Sequence, residues 1–190
     1  MKLTLKIQRA IKFATKTHEV YQKQKRKGKD VSYITHPLTV GILLARVGAS
    51  DDVVAAGILH DTIEDSIPEK KVTRQMFQER FGKKVADTVL SVSEIDKRMP
   101  WEARKAEALG RIRKFRQASL LVKSADVISN TSEVLDDHAR YGDQVFASFS
   151  VPKEKFIGHN LQVIEALLKK WKNNPLRDDL LLLKRELQKI

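Results

Sequence analysis

The sequence predicts an all-α fold in a single domain. Apolar residues recur at helical spacing in one segment after another, as Leu3, Ile7, Ala10, Ile11 and Ala14 do at the start. No segment shows the Val- and Ile-rich alternation of a strand, and no long repeat is visible. The 190 residues, taken as one unit over residues 1–190, suffice for a sizeable core and require no second domain.

A first helix covers residues 3–22, with lysines opposite its apolar stripe. His18 continues the stripe and reads as a packed histidine with local hydrogen bonds. The polar run over residues 23–30, broken by Gly28, reads as a solvated loop. Pro37 suits the first turn of a helix, because its fixed φ is compatible there; His36 then sits at the helix mouth, and residues 38–47 run on to Gly48, a C-terminal stop. Ser50 offers an N-cap for an apolar helix over residues 52–59. Pro68 and Thr73 mark helix starts, and Phe81 with Gly82 marks a helix end. Val85, Val89, Leu90 and Val92 form one buried face running to about Ile95. A helix rich in Ala and Arg follows Pro100 as far as Phe115, with Arg104, Arg111 and Arg113 on a solvated face. Residues 119–130 are apolar around a single carboxylate, Asp126, while residues 136–151 read as a loop with a short helix and His138 at the surface. Helices over residues 152–171 and 176–187 complete the chain. The first carries His159 without carboxylates nearby in sequence; in the second, residues 180–183 read as core with apolar area to spare for a second subunit, so a homo-oligomer is a candidate assembly.

Cysteine is absent, which excludes disulfides, thiolate metal sites and a cysteine nucleophile and suits a reducing cytoplasm. The first six residues lack the apolar core of a signal peptide and no apolar run approaches membrane-spanning length, so a soluble, cytoplasmic protein with no membrane partner is expected. Thirty-six Lys and Arg against 24 Asp and Glu give a formal charge of +12, a field that favours polyanions. The charge is spread along the chain, and the 6% of aromatic residues do not alternate with basic ones as base-stacking surfaces require. That argues against nucleic acid and for a phosphate-rich small molecule in a local basic pocket.

The most informative stretch is Ile58 to Ser66, where a greasy helix ends in His60, Asp61, Glu64 and Asp65. On a continuing helix Glu64 stacks over His60 and Asp65 over Asp61, gathering one imidazole and three carboxylates. Such a patch is costly without a neutralising partner, and a divalent cation suits His and Asp together; a solvated helix end is the alternative this segment leaves open. Asp126 likewise needs a partner, and Asn130 lies four residues on along the same helix face.

His36, then His60-Asp61, then Asp126, follows the order of the HD superfamily of metal-dependent phosphohydrolases. The longer motifs Tyr33-Ile-Thr-His-Pro37, Leu59-His-Asp-Thr-Ile-Glu-Asp65, Phe81-Gly82 and Lys123-Ser-Ala-Asp126 with Asn130 resemble the hydrolase domain of RelA/SpoT-type alarmone enzymes, and more so the free-standing small alarmone hydrolases. The likeness runs from about Ile11 through Asn130 in one register. It implies a single divalent ion, typically manganese, held by His36, His60, Asp61 and Asp126. It also implies Glu64 and Asp65 as the acidic pair that activates water, and removal of the 3′-pyrophosphate of guanosine tetra- or pentaphosphate. Arg26 and Lys27 fall where the family carries a substrate-binding pair, with a different spacer to Tyr33; Lys123 and Asn130 match further substrate-side positions. Two residues depart from the pattern: Ser132 stands where the family has arginine, which weakens phosphate contacts, and Ser124 where it has leucine. No room is left for a synthetase domain, so the implied activity is hydrolytic only. The rival readings are an HD phosphohydrolase of nucleoside monophosphates or dNTPs, and a non-catalytic helical module that binds polyanions.

Overall fold

The structure, a computed structural model, describes residues 4–94 and 98–190. Leu3 and Ile95, named above, lie outside the described residues. Among the latter there are nine α-helices and no strand: α1 (Leu5–Thr15), α2 (Thr35–Arg46), α3 (Asp51–Leu59), α4 (Arg74–Phe81), α5 (Lys83–Val92), α6 (Trp101–Arg111), α7 (Gln117–Tyr141), α8 (Lys153–Lys170) and α9 (Arg177–Leu187). None is long and apolar enough to cross a membrane.

The core is built on α3, whose Val54, Ala55, Ala56, Ile58 and Leu59 are all buried between α1, α2, α5 and α7. Two glycines let α2 and α3 touch closely. A Cβ on Gly41 would stand 2.6 Å from Ile58 Cγ1, and one on Gly57 would stand 2.2 Å from Leu44 Cδ1. This close approach brings the His36 end of α2 to the His60 end of α3. At the far side α8 and α9 pack on each other and on α7.

Several elements differ from the sequence expectation, each for a local reason. The first helix stops at Thr15 and continues as a π-helical turn, Lys16–Tyr21. Ser50 stands at the N-cap of α3 but its side chain makes no capping bond, whereas Thr73 caps α4 by accepting from Met76 N at 3.2 Å. Pro68 opens only a 3₁₀ turn, Pro68–Lys70. α7 runs through Tyr141 and ends at Gly142, φ +63°, where a loop was expected; an i,i+4 pair of Asp136 and Arg140 at 2.8 Å supports its last turns. His138 is half-buried, 2.8 Å from Asp143. Arg111 is not a solvated residue: its guanidinium donates to the carbonyls of Leu90, Ser91 and Ser93 and so caps α5 from α6. Ser124, the departure in the fourth motif, accepts from Asn174 Nδ2 at 2.8 Å, and Asn174 Oδ1 accepts from Leu176 N at 2.9 Å, which anchors the start of α9 to α7. Of residues 180–183, Leu180 and Leu183 are buried and Leu182 is 49% exposed.

Gly57→Ala is expected to lower unfolding free energy by about 1–3 kcal/mol through overpacking against buried Leu44. A denaturant titration beside wild type checks it.

Candidate metal centre

His36 comes from the first turn of α2, His60 from the residue just past α3, Asp61 from the turn that follows and Asp126 from the middle of α7. Their side chains meet. His36 Nε2 lies 3.3 Å from His60 Nε2, 3.3 Å from Asp126 Oδ1 and 3.6 Å from Asp61 Oδ2. His60 Nε2 lies 3.1 Å from Asp61 Oδ2 and 3.7 Å from Asp126 Oδ1.

The groups behind these four side chains aim them. His60 Nδ1 is 2.7 Å from the carbonyl oxygen of Gly57, which can only accept, so Nδ1 carries the proton and neutral His60 presents a bare Nε2 to the cluster. His36 Nδ1 pairs with Ser129 Oγ at 2.9 Å. Tyr33 donates to Asp61 Oδ2 at 2.5 Å, and burial beside Asp61 and Asp65 pushes its phenol well above the usual range, so it stays a donor. Asp126 accepts from Asn130 Nδ2 at 2.7 Å on Oδ1 and from Lys123 Nζ at 2.8 Å on Oδ2. The ligand atoms of His36, His60 and Asp126 all lie within 4.8 Å of one another, a donor set that suits a divalent cation, with Asp61 beside the two imidazoles and each side chain held by an outer partner.

Electrostatics agree with that fit. Burial pushes the Asp126 carboxyl up, but Lys123 and the two imidazoles outweigh it and hold it well below the carboxylate range. Burial lowers His36. Burial acts the same way on His60, yet Asp61 and Asp126 overcome it and raise the imidazole well above its ordinary value. The directions at Asp126 and His60 are those of an anionic cluster that favours positive charge at its centre.

Residues 60–65 are not the continued helix of the sequence reading. α3 ends at Leu59, whose carbonyl accepts from both Thr62 N at 3.0 Å and Thr62 Oγ1 at 2.7 Å, tightening the chain into turns. Glu64 thus accepts from Glu94 N at 2.6 Å and Asp65 from Gln24 Nε2 at 3.0 Å, with both carboxylates lining the same cleft as Asp61 and Asp126. That cleft encloses about 970 Å³.

The loop over residues 23–30 is docked on α7 where solvation was expected. Arg26 pairs with Glu133 and donates to Asn130 Oδ1 at 2.8 Å, and Lys29 reaches Glu133 and Asp137. Lys27 stands over the Phe149 ring at 5.1 Å; burial, then Lys105, Arg104 and Arg26, lower its pKa. Arg26, Lys27, Lys123 and Asn130 all line the cleft. Sequence reasoning missed Arg104, Lys105, Trp101 and His159, which line it too. Arg104 is paired with Glu94 and is not on a solvated face. His159 packs edge-on to Trp101 at 5.6 Å, its pKa pushed down to about 4 by burial and by Lys105 and Lys123, so it is uncharged at neutral pH. Ser129, three residues beyond Asp126, and Gly57, three before His60, carried a spacing signal; Tyr33 lay inside a motif without an assigned role.

The family described as HD domain matches residues 10–152. This chain belongs to the HD-domain family. Among relatives of this HD domain, the guanosine-3′,5′-bis(diphosphate) 3′-pyrophosphohydrolase of Aquifex aeolicus is 42% identical over 91 residues, 48% of this chain and 12% of that one. The chain thus spans about an eighth of that relative's length. The guanosine-3′,5′-bis(diphosphate) 3′-pyrophosphohydrolase MESH1 of Xenopus tropicalis is 32% identical over 127 residues, covering 66% of this chain and 67% of that one. The solved structure of a metazoan ortholog of SpoT, described as hydrolysing ppGpp, superimposes with a TM-score of 0.79 over 98% of this chain and 97% of that one at 20% identity, a shared fold.

Because a metal ion and a proton would compete for His60 Nε2, apparent Mn²⁺ affinity is expected to fall, by up to about tenfold per pH unit, as pH drops into the range where metal-free His60 is protonated. Calorimetric titration across pH, in buffers of different ionisation enthalpy, reads both the affinity and the released proton. Tyr33→Phe, which removes the donor to Asp61, is expected to weaken the same titration about 10–100-fold.

Proposed function

We propose that this HD domain is a metal-dependent hydrolase that removes the 3′-pyrophosphate from guanosine tetra- and pentaphosphate, with manganese as its ion. One observation carries the reading: two buried imidazoles with the carboxylates of Asp61 and Asp126 lie beside a cleft lined also by Lys27, Arg104, Lys105 and Lys123. Charge so divided fits a polyphosphate ester, with anionic oxygens for the rim and one phosphorus over the cluster. The names of the Aquifex and Xenopus relatives support the same reaction.

A divalent ion held by His36, His60, Asp61 and Asp126 supplies Lewis acidity, polarising a phosphoryl oxygen and acidifying water. Every other task falls to the chain. Lys123, bound to Asp126 and lining the cleft, offers its charge to the scissile phosphates. Lys27 is crowded by Lys105 and Arg104, so an anion between them relieves repulsion. Trp101 and Phe149 present apolar faces to a base. Glu64 and Asp65 accept the proton of the attacking water, each carboxylate oriented by an N–H donor. The same reading places the protein in the cytoplasm, with a phosphorylated nucleotide as partner and exposed Leu182 as apolar surface for a second copy.

One feature favours a different nucleotide. Ser132, at the position of the family's arginine, turns its hydroxyl to Ile128 O at 2.7 Å, so α7 contributes no cation there. A phosphate-release panel with Mn²⁺ over ppGpp, dNTPs and nucleoside monophosphates is expected to show pyrophosphate from ppGpp. Turnover of a monophosphate alone assigns the rival substrate. Glu64→Gln is expected to lower kcat by roughly 10² to 10⁴-fold while metal content stays constant. Loss of metal along with activity would instead make Glu64 a ligand.

A further inference from the structure

His18 is fully buried, and the reaction described above does not use it. It is more than a packed core residue. Its Nδ1 lies 2.9 Å from Gln24 Oε1, and Gln24 Nε2 donates to Asp65 Oδ2 at 3.0 Å. A carboxylate only accepts, so the NH₂ end of Gln24 must face Asp65 and the carbonyl end must face His18. His18 Nδ1 therefore carries a proton. Its Nε2 is left as a buried lone pair with no hydrogen-bond partner, an arrangement that costs stability. An apolar side chain would avoid that cost but could not donate to Gln24 Oε1.

The backbone is bent to make this arrangement. His18 sits in the π-helical turn Lys16–Tyr21, a rare geometry that concentrates at functional sites. Lys23, immediately before Gln24, has φ +49°, alone among the described non-glycine residues. Gln24 is then clamped twice: its N donates to His18 O at 2.9 Å and its carbonyl accepts from Tyr33 N at 2.9 Å. The Tyr33 ring packs on His18 at a tilt of 43°, with centroids 4.9 Å apart, and the Tyr33 hydroxyl reaches Asp61.

We propose that His18 and Gln24 are positioning residues that hold the Asp65 carboxylate in the cleft, His18 locking the Gln24 amide so that its NH₂ faces Asp65. The proposal rests on the reading of Asp65 as a proton acceptor. Without the lock the amide can rotate, and a carbonyl turned toward Asp65 repels the carboxylate it should steady.

The test pairs kinetics with a spectrum. His18→Phe and Gln24→Leu are each expected to lower kcat for ppGpp about 10–100-fold, with KM and bound Mn²⁺ changing less than about twofold. His18→Asn, whose side-chain amide N–H replaces the Nδ1–H, is expected to recover most of the loss. In an Asp65→Asn background, Gln24→Leu should change kcat by less than about twofold, because the group it acts through is already gone. A full loss in that background, or His18→Asn no better than His18→Phe, overturns the proposal in favour of a structural role. The ¹⁵N spectrum of histidine-labelled protein is expected to show His18 as the Nδ1–H tautomer; an Nε2–H tautomer overturns the lock. That readout needs no turnover, so a protein inactive on ppGpp refutes the substrate reading while the spectrum still decides the lock.

Discussion

Each of two buried imidazole Nε2 atoms lies within 3.7 Å of two carboxylates, and this concentration of charge is the constraint on which the rest of the structure depends. Ionised groups taken out of water at that density are unfavourable unless each has a partner and the group as a whole has a cation. The chain meets the first requirement with Tyr33, Lys123, Asn130, Ser129 and the carbonyl of Gly57. It meets the second with a metal-ligating geometry. The glycine contacts between α2 and α3 follow from the same demand, since a wider helix spacing would draw His36 away from His60.

Outward from the cluster, charge changes sign. Acidic groups gather with the imidazoles, while Lys27, Arg104 and Lys105 reach the cleft from the loop after the π-helical turn and from α6. Glu94 joins the two zones: its backbone N–H holds Glu64, and its carboxylate pairs with Arg104 and Lys105. Cations and carboxylates are close to balanced along the cleft, so the protein's formal +12 acts mainly as a general field around it.

The remaining rigidity comes from side chains that finish distant helices. Arg111 of α6 closes the carbonyls of α5, which fixes the segment leading to Glu94. Ser124, two residues before Asp126, fixes the turn into α9 through Asn174. A residue that departs from the motif pattern thus ties the helix bearing Asp126 to the C-terminal pair.

The sequence by itself determined the all-α class and most helix positions, because helical period and N-terminal proline are local signals; that His36, His60, Asp61 and Asp126 belong together is an expectation from the family resemblance of the ordered motifs. Pro37 set His36 at the mouth of α2, and Phe81-Gly82 ended α4 as read. Only the tertiary structure decided what those residues touch. The turn after Leu59 replaced the expected helical stacking of Glu64 over His60, because Thr62 competes locally for the Leu59 carbonyl. The polar loop over residues 23–30 reads as solvated until Glu133 and Asp137, more than 100 residues away, are brought beside it. Arg104, Arg111, Gln24 and Ser129 carry the same lesson. A polar side chain's role is set by the partner it meets across the fold, and that partner has no fixed spacing along the chain.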